Sequence, residues 1–196
     1  MKRILVSLTL VTASICVTKA QNNCLGLKGG LNASSLKTTG GGTTFNSDSK
    51  IGFYAGAFAQ LGVAQNFAVQ PEIMYSLLGA RYKFSNVTVN RNLSYISVPL
   101  LVSYIKEGLS IVAGPQISFL VAANDKGTNI STDIKSQFTT TEIAGVIGAG
   151  YTTIGGFGFD ARYQLGLSDI VKGNSSGFKF KNNNFQFGVH YLLHRY

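Results

Sequence analysis

The chain has 196 residues, a length typical of one domain, with 45% hydrophobic residues, 13% charged residues and a formal net charge of +9. This composition excludes an intrinsically disordered protein, which requires low hydrophobicity and high charge. The chain contains 23 glycines, and because glycine costs roughly 1 kcal/mol in a helix interior relative to alanine, a β-rich protein is favoured over a helical one.

The first residues have the pattern of a secretory signal peptide. Lys2 and Arg3 precede an apolar run over residues 4–17, and the motif Thr-Lys-Ala that ends at Ala20 predicts cleavage after that residue. A retained membrane helix is the alternative, but the apolar run is shorter than the roughly 20 residues that a spanning helix needs. The expected organisation is a signal peptide at residues 1–20 and one mature domain at residues 21–196.

Cysteine usage limits the chemistry of the mature domain. Cys16 leaves with the signal peptide, so Cys24 is alone and no intramolecular disulfide is possible. We expect Cys24 to face solvent or lipid near the first strand. The sequence shows no metal-ligand spacing, and no cofactor is predicted. No later segment has 18 consecutive apolar residues, so a second membrane helix is not expected.

Apolar and polar residues alternate along the mature chain, which is the pattern of β-strands. In residues 67–77, 157–167 and 185–193, bulky apolar side chains occupy one face, and glycine, polar and charged residues occupy the other. Several segments reach the roughly 9–11 residues that a tilted transmembrane strand needs. The eight predicted strands are residues 25–34, 51–62, 67–84, 91–105, 109–122, 138–152, 156–168 and 184–196.

Long and short connections alternate between the predicted strands. The long or polar ones are Ser35–Lys50, Ser85–Asn90, Ala123–Gln137 and Asp169–Asn183. The tight ones are Val63–Asn66, Lys106–Gly108 and Thr153–Gly155. Outer-membrane barrels have long extracellular loops and short periplasmic turns. The sequence therefore predicts an all-β, eight-stranded, antiparallel up-and-down transmembrane barrel in the outer membrane, with both termini in the periplasm.

Side-chain size indicates which face meets lipid. A soluble lipocalin-like barrel, with its apolar face inside, is the alternative fold, but the interior of an eight-stranded barrel has little room and here the bulky residues are the apolar ones. A charged face cannot meet lipid, because Arg or Lys at mid-membrane costs roughly 2–4 kcal/mol. Phe, Leu, Ile and Tyr are therefore expected outside. The interior charges, expected to neutralise one another as a structural plug, are Lys28, Glu72, Asp160, Arg162 and His190.

Three residues depart from the simple strand pattern. Pro99 and Pro115 fall inside predicted strands, where proline normally argues against a strand, and we expect local bulges there. Glu142 has apolar neighbours on both sides, so the alternation does not assign its face.

The positive charge is concentrated in the long connections. Without the three basic residues of the signal peptide, 14 of 17 basic residues remain against 8 acidic ones, a net charge of +6. The four long connections with their strand ends account for this excess. We expect a cationic rim that contacts outer-membrane lipid and lipopolysaccharide, with simply solvated loops as the alternative. Nucleic acid is not an expected partner, because the protein is exported.

Four short motifs resemble a known family. They are Gly26–Asn32, Tyr95–Leu101, Ala113–Gln116 and Gly148–Tyr151, in the first, fourth, fifth and sixth predicted strands. Together they resemble the PorT-like outer-membrane β-barrel family of Bacteroidota, and the resemblance covers essentially the whole mature chain. It implies an eight-stranded barrel. PorT itself is linked to protein secretion across the outer membrane, a role that fold resemblance alone does not transfer.

The last strand resembles the recognition signal of the barrel-assembly machinery, an expected partner during biogenesis. An amphipathic last strand with an unpaired edge is suited to strand addition. Any last barrel strand has similar alternation, which is the alternative explanation. The residues that match the signal are Gln186, Gly188, Tyr191 and Leu193, with Tyr196 closing the chain.

No motif predicts catalysis. The two histidines are His190 and His194, and a Ser–His–acid group built from Ser76 with Glu72 or Asp160 is not selected by any spacing. The protein is therefore not expected to be an enzyme. The sequence leaves three roles open: a structural or adhesive barrel, an accessory component of a secretion or envelope machine, and, less favoured, a narrow pore.

Overall fold

Most of the described chain lies in β-strands. The computed structural model describes residues 23–40, 42–84, 87–126, 131–173 and 178–195, so the predicted signal peptide and Tyr196 lie outside the described residues. The strands are β1 (Cys24–Gly40), β2 (Thr43–Asn46), β3 (Asp48–Ala64), β4 (Phe67–Phe84), β5 (Val87–Lys106), β6 (Leu109–Lys126), β7 (Ser131–Asp133), β8 (Thr141–Thr152), β9 (Phe157–Gly166) and β10 (Lys179–Arg195). One turn of 3₁₀ helix spans Lys135–Gln137.

Eight of the described strands form a closed barrel. The order is β1, β3, β4, β5, β6, β8, β9 and β10, each antiparallel to its neighbours, and β10 pairs with β1 to complete the circle. The short strands β2 and β7 extend the sheet at the ends of β1 and β6. In a closed barrel, the backbone N–H and C=O groups along both edges of every barrel strand can pair with a neighbouring strand. An open sheet leaves these groups unpaired at its two edge strands. The predicted eight-stranded antiparallel barrel is confirmed.

The two ends of the barrel differ, as the connection lengths predicted. At the short-turn end the turns are residues 65–66, 107–108 and 153–156, and both described chain ends lie there. In the second of these turns Glu107 and Gly108 have φ values of 53° and 86°, the positive values that a two-residue type I′ hairpin requires. The opposite end is called the long-loop end. The periplasmic location of the termini stays a prediction.

The strands run further toward the long-loop end than the sequence predicted. β1 extends to Gly40 and β10 begins at Lys179, and the extensions pair with each other from Ser35/Asn183 to Thr39/Lys179. β5 also begins earlier than predicted, at Val87 instead of residue 91, whereas β4 ends at Phe84 as predicted, so strand structure extends into the expected Ser85–Asn90 connection. The sequence analysis did not identify these segments as strands, because their outward-facing side chains are polar and do not alternate clearly with the inward-facing ones.

The bulges expected at Pro99 and Pro115 are absent. Pro99 pairs with Gln116, Pro115 pairs with Gly145, and the register is unchanged on both sides of each proline. A proline removes only one N–H from a ladder, and the flanking pairs hold the register. The irregularities lie elsewhere: Leu25/Gly26, Ser49/Tyr54, Gly62/Ala64 and Ser94/Tyr95.

The outer wall is apolar, and the lumen is filled. Phe157, Leu165 and Phe187 point outward and are 47%, 43% and 57% exposed on the isolated chain, as lipid-facing residues should be. The lumen nevertheless contains bulky residues that were expected outside, among them Tyr54, Phe58 and Tyr95. Their inward positions follow from the two-residue alternation of each strand, whereas the expectation that they lie outside rested on residue type alone. Among the described residues, no helix has the length and apolar character to cross a membrane.

Cys24 was expected to face solvent or lipid, and this prediction is wrong. Its side chain is buried. Even-numbered residues of β1 point into the lumen, and Cys24 shares this face with Gly26 and Lys28.

The apolar core lies inside the barrel at the long-loop end. Strand residues and loop residues contribute together, and Ile134, Phe138 and Ile170 come from the connections that follow β6 and β9. Their strand partners are Leu36, Leu78, Ala80, Leu93, Tyr95, Leu120 and Ala123. The two loops therefore fold inward and close the long-loop end with apolar side chains.

Candidate functional site

Four charged side chains from three strands meet in the lumen near the short-turn end. Lys28 on β1, Glu72 on β4, and Asp160 and Arg162 on β9 form what we call the lumen charge cluster. Arg162 Nη1 donates to both carboxylate oxygens of Glu72, at 2.9 and 2.8 Å. Lys28 Nζ lies 3.4 Å from Glu72 and 3.8 Å from Asp160, and Arg162 Nε lies 3.0 Å from Asp160. Two cations therefore face two carboxylates.

The cations and carboxylates of the lumen charge cluster must be paired because they are buried. The charged side chains of the lumen charge cluster are at most 6% exposed. An isolated buried charge is very costly, whereas paired and hydrogen-bonded charges are tolerated. Glu72 has a further donor in Gln70 Nε2 at 2.6 Å, and Gln60 in turn donates to Gln70 at 3.0 Å. The ammonium group of Lys28 also lies 5.4 Å from the ring centroid of Phe58.

His190 joins the cluster through Asp160. Its Nδ1 is 3.3 Å from Asp160 Oδ2, and its Nε2 is 2.9 Å from Thr152 Oγ1. Hydroxyl, imidazole and carboxylate thus follow one another in the order of a hydrolase triad. The hydroxyl belongs to Thr152 and not to Ser76, the residue considered from the sequence. Ser76 is buried elsewhere on the inner face of β4.

The surroundings of Thr152 leave little room for a substrate. The lumen cavity beside it has a volume of about 20 Å³, the space of one or two water molecules. An oxyanion site needs free backbone donors, but the N–H groups of Thr152 and Thr153 are bonded to the carbonyl oxygens of Gly108 and Phe157. Among the described residues, no group of three or more His, Cys, Asp or Glu side chains is arranged to hold a metal ion. The Thr152–His190–Asp160 chain is built as a closed hydrogen-bonded unit.

Inward-facing glycines explain how large side chains fit in a lumen this narrow. At each of these positions a Cβ atom would collide with a bulky side chain of another strand. Small residues opposite large ones are how small barrels fill their interior. The pairs are Gly26 with Phe58, Gly148 with Arg162, Gly158 with His190 and Gly188 with Tyr54.

A second polar layer lies between the lumen charge cluster and the apolar core. Asn32 Oδ1 accepts bonds from Asn184 and Gln186, both at 3.1 Å. Glu142, whose face the sequence did not assign, points inward and is 1% exposed. Tyr95 and Asn182 lie beside it, but among the described residues no side chain or backbone group meets either carboxylate oxygen of Glu142 in good hydrogen-bond geometry. Glu142 therefore differs from Glu72, which has two cations in contact.

The residues of the expected assembly signal divide between the two faces of β10. Gln186 and Gly188 lie on the inner face, and Tyr191 and Leu193 point outward, 50% and 55% exposed. Gly188 leaves space for the Tyr54 hydroxyl. Packing therefore explains why glycine occupies this position, independently of any assembly signal. Recognition by the assembly machinery stays a prediction.

The rim at the long-loop end is basic, and three of its acids are engaged locally. Arg91 binds Asp125 through two hydrogen bonds of 2.9 and 2.7 Å. The carboxylates of Asp133 and Asp169 accept backbone N–H groups of their own loops. Lysines are left at least partly exposed around the rim, namely Lys37, Lys135, Lys172, Lys179 and Lys181.

Sequence comparison assigns the barrel to a family. The outer membrane protein beta-barrel domain matches residues 19–172, which include β1 to β9. The chain belongs to this family. The family and its structural neighbours are outer-membrane proteins, so the predicted location in the outer membrane is confirmed. No curated protein matches the chain.

Solved barrels of low sequence identity share the fold of this family member. Ail, the attachment invasion locus protein of Yersinia pestis, is 16% identical with a TM-score of 0.51, over 90% of this chain and all (100%) of that one. Neisserial surface protein A is 13% identical with a TM-score of 0.55, over 87% of this chain and 99% of that one. Ail has also been crystallised with the heparin analogue sucrose octasulfate. At these identities the likeness shows the fold alone.

Proposed function

We propose that this protein is a non-conducting, non-enzymatic outer-membrane barrel that presents its long-loop end at the cell surface to bind anionic polymers. The observation that carries the proposal is the closure of the lumen together with a basic groove on ordered loops. The lumen charge cluster blocks one half, and the apolar core around Leu36 and Phe138 blocks the other. Because these described residues fill the narrow lumen, we expect no continuous aqueous path and assign the function to the outer surfaces.

The described parts of the loops that follow β6 and β9 are held together by backbone contacts. Phe138 forms a bridge with Val171, and Thr139 N–H donates to Ile170 O at 2.8 Å. Lys172 N–H donates to Gln137 O at 3.0 Å. A surface that is ordered before binding loses less conformational entropy when a ligand arrives. This favours a binding role for the loops over a role as flexible connections.

A groove on these loops has the chemistry of an anion site. Its volume is about 370 Å³, and its lining includes Lys135, Lys172, Ser136 and Thr140. Asp133 also lines the groove, and its carboxylate accepts the backbone N–H of Lys135 at 2.8 Å, so it is engaged within its own loop. Two exposed ammonium groups with hydroxyl donors suit sulfate or carboxylate groups of a polysaccharide. That Ail, a protein of the same fold, has been crystallised with a heparin analogue is consistent with this use of the fold.

The proposal is tested by binding and conductance measurements on the folded protein. Immobilised heparin, as a sulfated probe, should bind the protein, and Lys135→Gln with Lys172→Gln should weaken binding by about tenfold or more, since each lysine near an anion contributes roughly 1 kcal/mol. Lys106→Gln, at the short-turn end, is the matched control and should leave binding unchanged. Planar bilayers with the protein should show no channel steps. Equal binding by both variants, or steady channel activity, would contradict the proposal.

The resemblance to PorT-like barrels implies a different role, as an accessory component of a secretion machine. Cross-linking in intact envelopes followed by purification of the barrel separates the two. Recovery of the barrel without a stoichiometric protein partner supports the surface-binding role. A stoichiometric envelope partner, retained after removal of the lysines that line the groove, would favour the accessory role instead.

A further inference from the structure

The outer wall at the junction of β1 and β10 changes from apolar to basic in regular steps. Outward-facing residues that are directly opposite each other on the two strands form successive rungs of the ladder. From mid-barrel to the long-loop end these rungs are Leu31/Phe187, Ala33/Phe185, Ser35/Asn183, Lys37/Lys181 and Thr39/Lys179. The residues between them, such as Leu36 and Asn182, are buried in the lumen, so Lys37 and Lys181 project from the outer wall.

The pair of lysines in one rung is electrostatically unfavourable by itself. Directly opposite residues of an antiparallel pair have Cβ atoms about 4.5–5.5 Å apart, and like charges there are destabilising. No carboxylate of the described residues forms an ion pair with Lys37, Lys179 or Lys181. This distinguishes them from Arg91 on the same rim, which is bound to Asp125. An anion between the two ammonium groups would remove the repulsion.

The height of the lysines identifies the source of that anion. Lys181 precedes the lipid-facing Phe185 by four residues in β10 and lies on its long-loop side, about 13 Å along the strand at roughly 3.3 Å per residue. A strand tilt of about 45° reduces this to approximately 9 Å along the membrane normal. The ring of Phe185 packs against Tyr163, 4.6 Å between centroids, and aromatic residues of this kind mark the membrane interface. The lysines therefore lie at the level of lipid headgroups.

We infer that Lys37 and Lys181, supported by Lys179, form a binding site on the outer wall for a lipid-borne phosphate group of the outer leaflet. A phosphate offers several oxygens and can accept bonds from both ammonium groups at once. Long lysine stems lie along apolar surface while their charged heads reach the polar layer. The site is separate from the loop groove that contains Lys135 and Lys172. It takes the long-loop end as the outer-leaflet end, the usual arrangement of outer-membrane barrels.

The test uses the full mature chain, refolded into zwitterionic phospholipid vesicles with added lipid A. Phosphorylated lipid A should raise the midpoint temperature of heat-modifiable gel migration, and dephosphorylated lipid A should not. For Lys37→Gln/Lys181→Gln, the lipid A content needed for half of this rise should increase about 25-fold, since each lysine contributes roughly fivefold. Lys135→Gln/Lys172→Gln is the matched control and should respond as the unaltered protein does.

A second readout separates a lipid site from a merely structural role. Without phosphorylated lipid, Lys37→Gln/Lys181→Gln should be at least as stable as the unaltered protein, because the repulsion within the rung is removed. If the double variant does not refold, Lys181→Gln alone should require about fivefold more lipid A. If these variants reached half of the rise at the same phosphorylated lipid A content as the unaltered protein, the inference would be overturned. An equal rise with inorganic phosphate in lipid A-free vesicles would also overturn it, as it would show a site for free anions.

Discussion

The lumen charge cluster makes a sharp prediction about Arg162. Replacing Arg162 by methionine keeps a similar length but removes the two bonds to Glu72, at 2.9 and 2.8 Å, and the 3.0 Å contact with Asp160. Lys28 is then the one cation of the cluster facing two buried carboxylates. Removing one partner of a buried ion pair costs about 3–5 kcal/mol, and we expect a loss of this size in the free energy of unfolding.

A second substitution should recover most of the loss. In Arg162→Met/Glu72→Gln the remaining charges are Lys28 and Asp160, one of each sign, 3.8 Å apart. Replacing both members of a buried pair is often close to neutral. The coupling free energy between the two substitutions should therefore be about 2 kcal/mol or more, at the upper end of values for contacting residues.

Glu142 provides the matched control for this cycle. It is also a buried glutamate, but it has no ion pair within the described part of the chain. Glu142→Gln should be neutral or stabilising alone, and it should add to Arg162→Met within about 0.5 kcal/mol, as independent sites do. The assay is urea unfolding in lipid vesicles with gel migration as the readout of folded protein. Additivity of Glu72→Gln with Arg162→Met, or a loss below about 1 kcal/mol for Arg162→Met, would refute the assignment of the cluster as a paired plug.

Three further predictions concern the wall, the ends and the packing of the barrel. Leu165→Arg should destabilise the folded barrel by about 2–4 kcal/mol relative to Leu165→Met, because lipid cannot solvate the charge; equal unfolding curves would place Leu165 away from lipid. In a cysteine-free background, Thr43→Cys should react with an impermeant maleimide on intact cells and Glu107→Cys should not, whereas the reverse result would invert the orientation. Gly188→Ala should impair folding, because a Cβ there would collide with the Tyr54 hydroxyl and with the backbone oxygen of Gly29, and Tyr54→Phe should relieve only part of the defect; unimpaired folding of Gly188→Ala would refute the packing role of this glycine.

The sequence by itself determined the class and the faces of this protein. Successive side chains of a strand point to opposite faces whichever strands lie beside it. The sequence therefore assigned Lys28, Glu72, Asp160 and Arg162 to one face before their contacts across the lumen were known. The same parity also places Asn32 and Gln70 inside, since they lie on the faces of Lys28 and Glu72. The alternation of long and short connections predicted an up-and-down barrel with two unlike ends, because antiparallel neighbours are joined at alternate ends.

Only the tertiary structure decided which side chains meet across the lumen. Glu72 and Arg162 are 90 residues apart, and their contact depends on the stagger of strands around the closed barrel, a property of the whole sheet. Local pattern cannot supply it, and for the same reason Thr152 was missed as the partner of His190. The inward positions of Tyr54 and Phe58 likewise depend on glycines of other strands. The apolar core includes Ile134, from a connection whose polar sequence gave no sign that it turns inward, and Phe138, which was predicted to begin the sixth strand and instead lies in the loop before β8. Such contacts follow from closure, because only a closed barrel brings strands that are distant in sequence within reach of one another across a narrow interior.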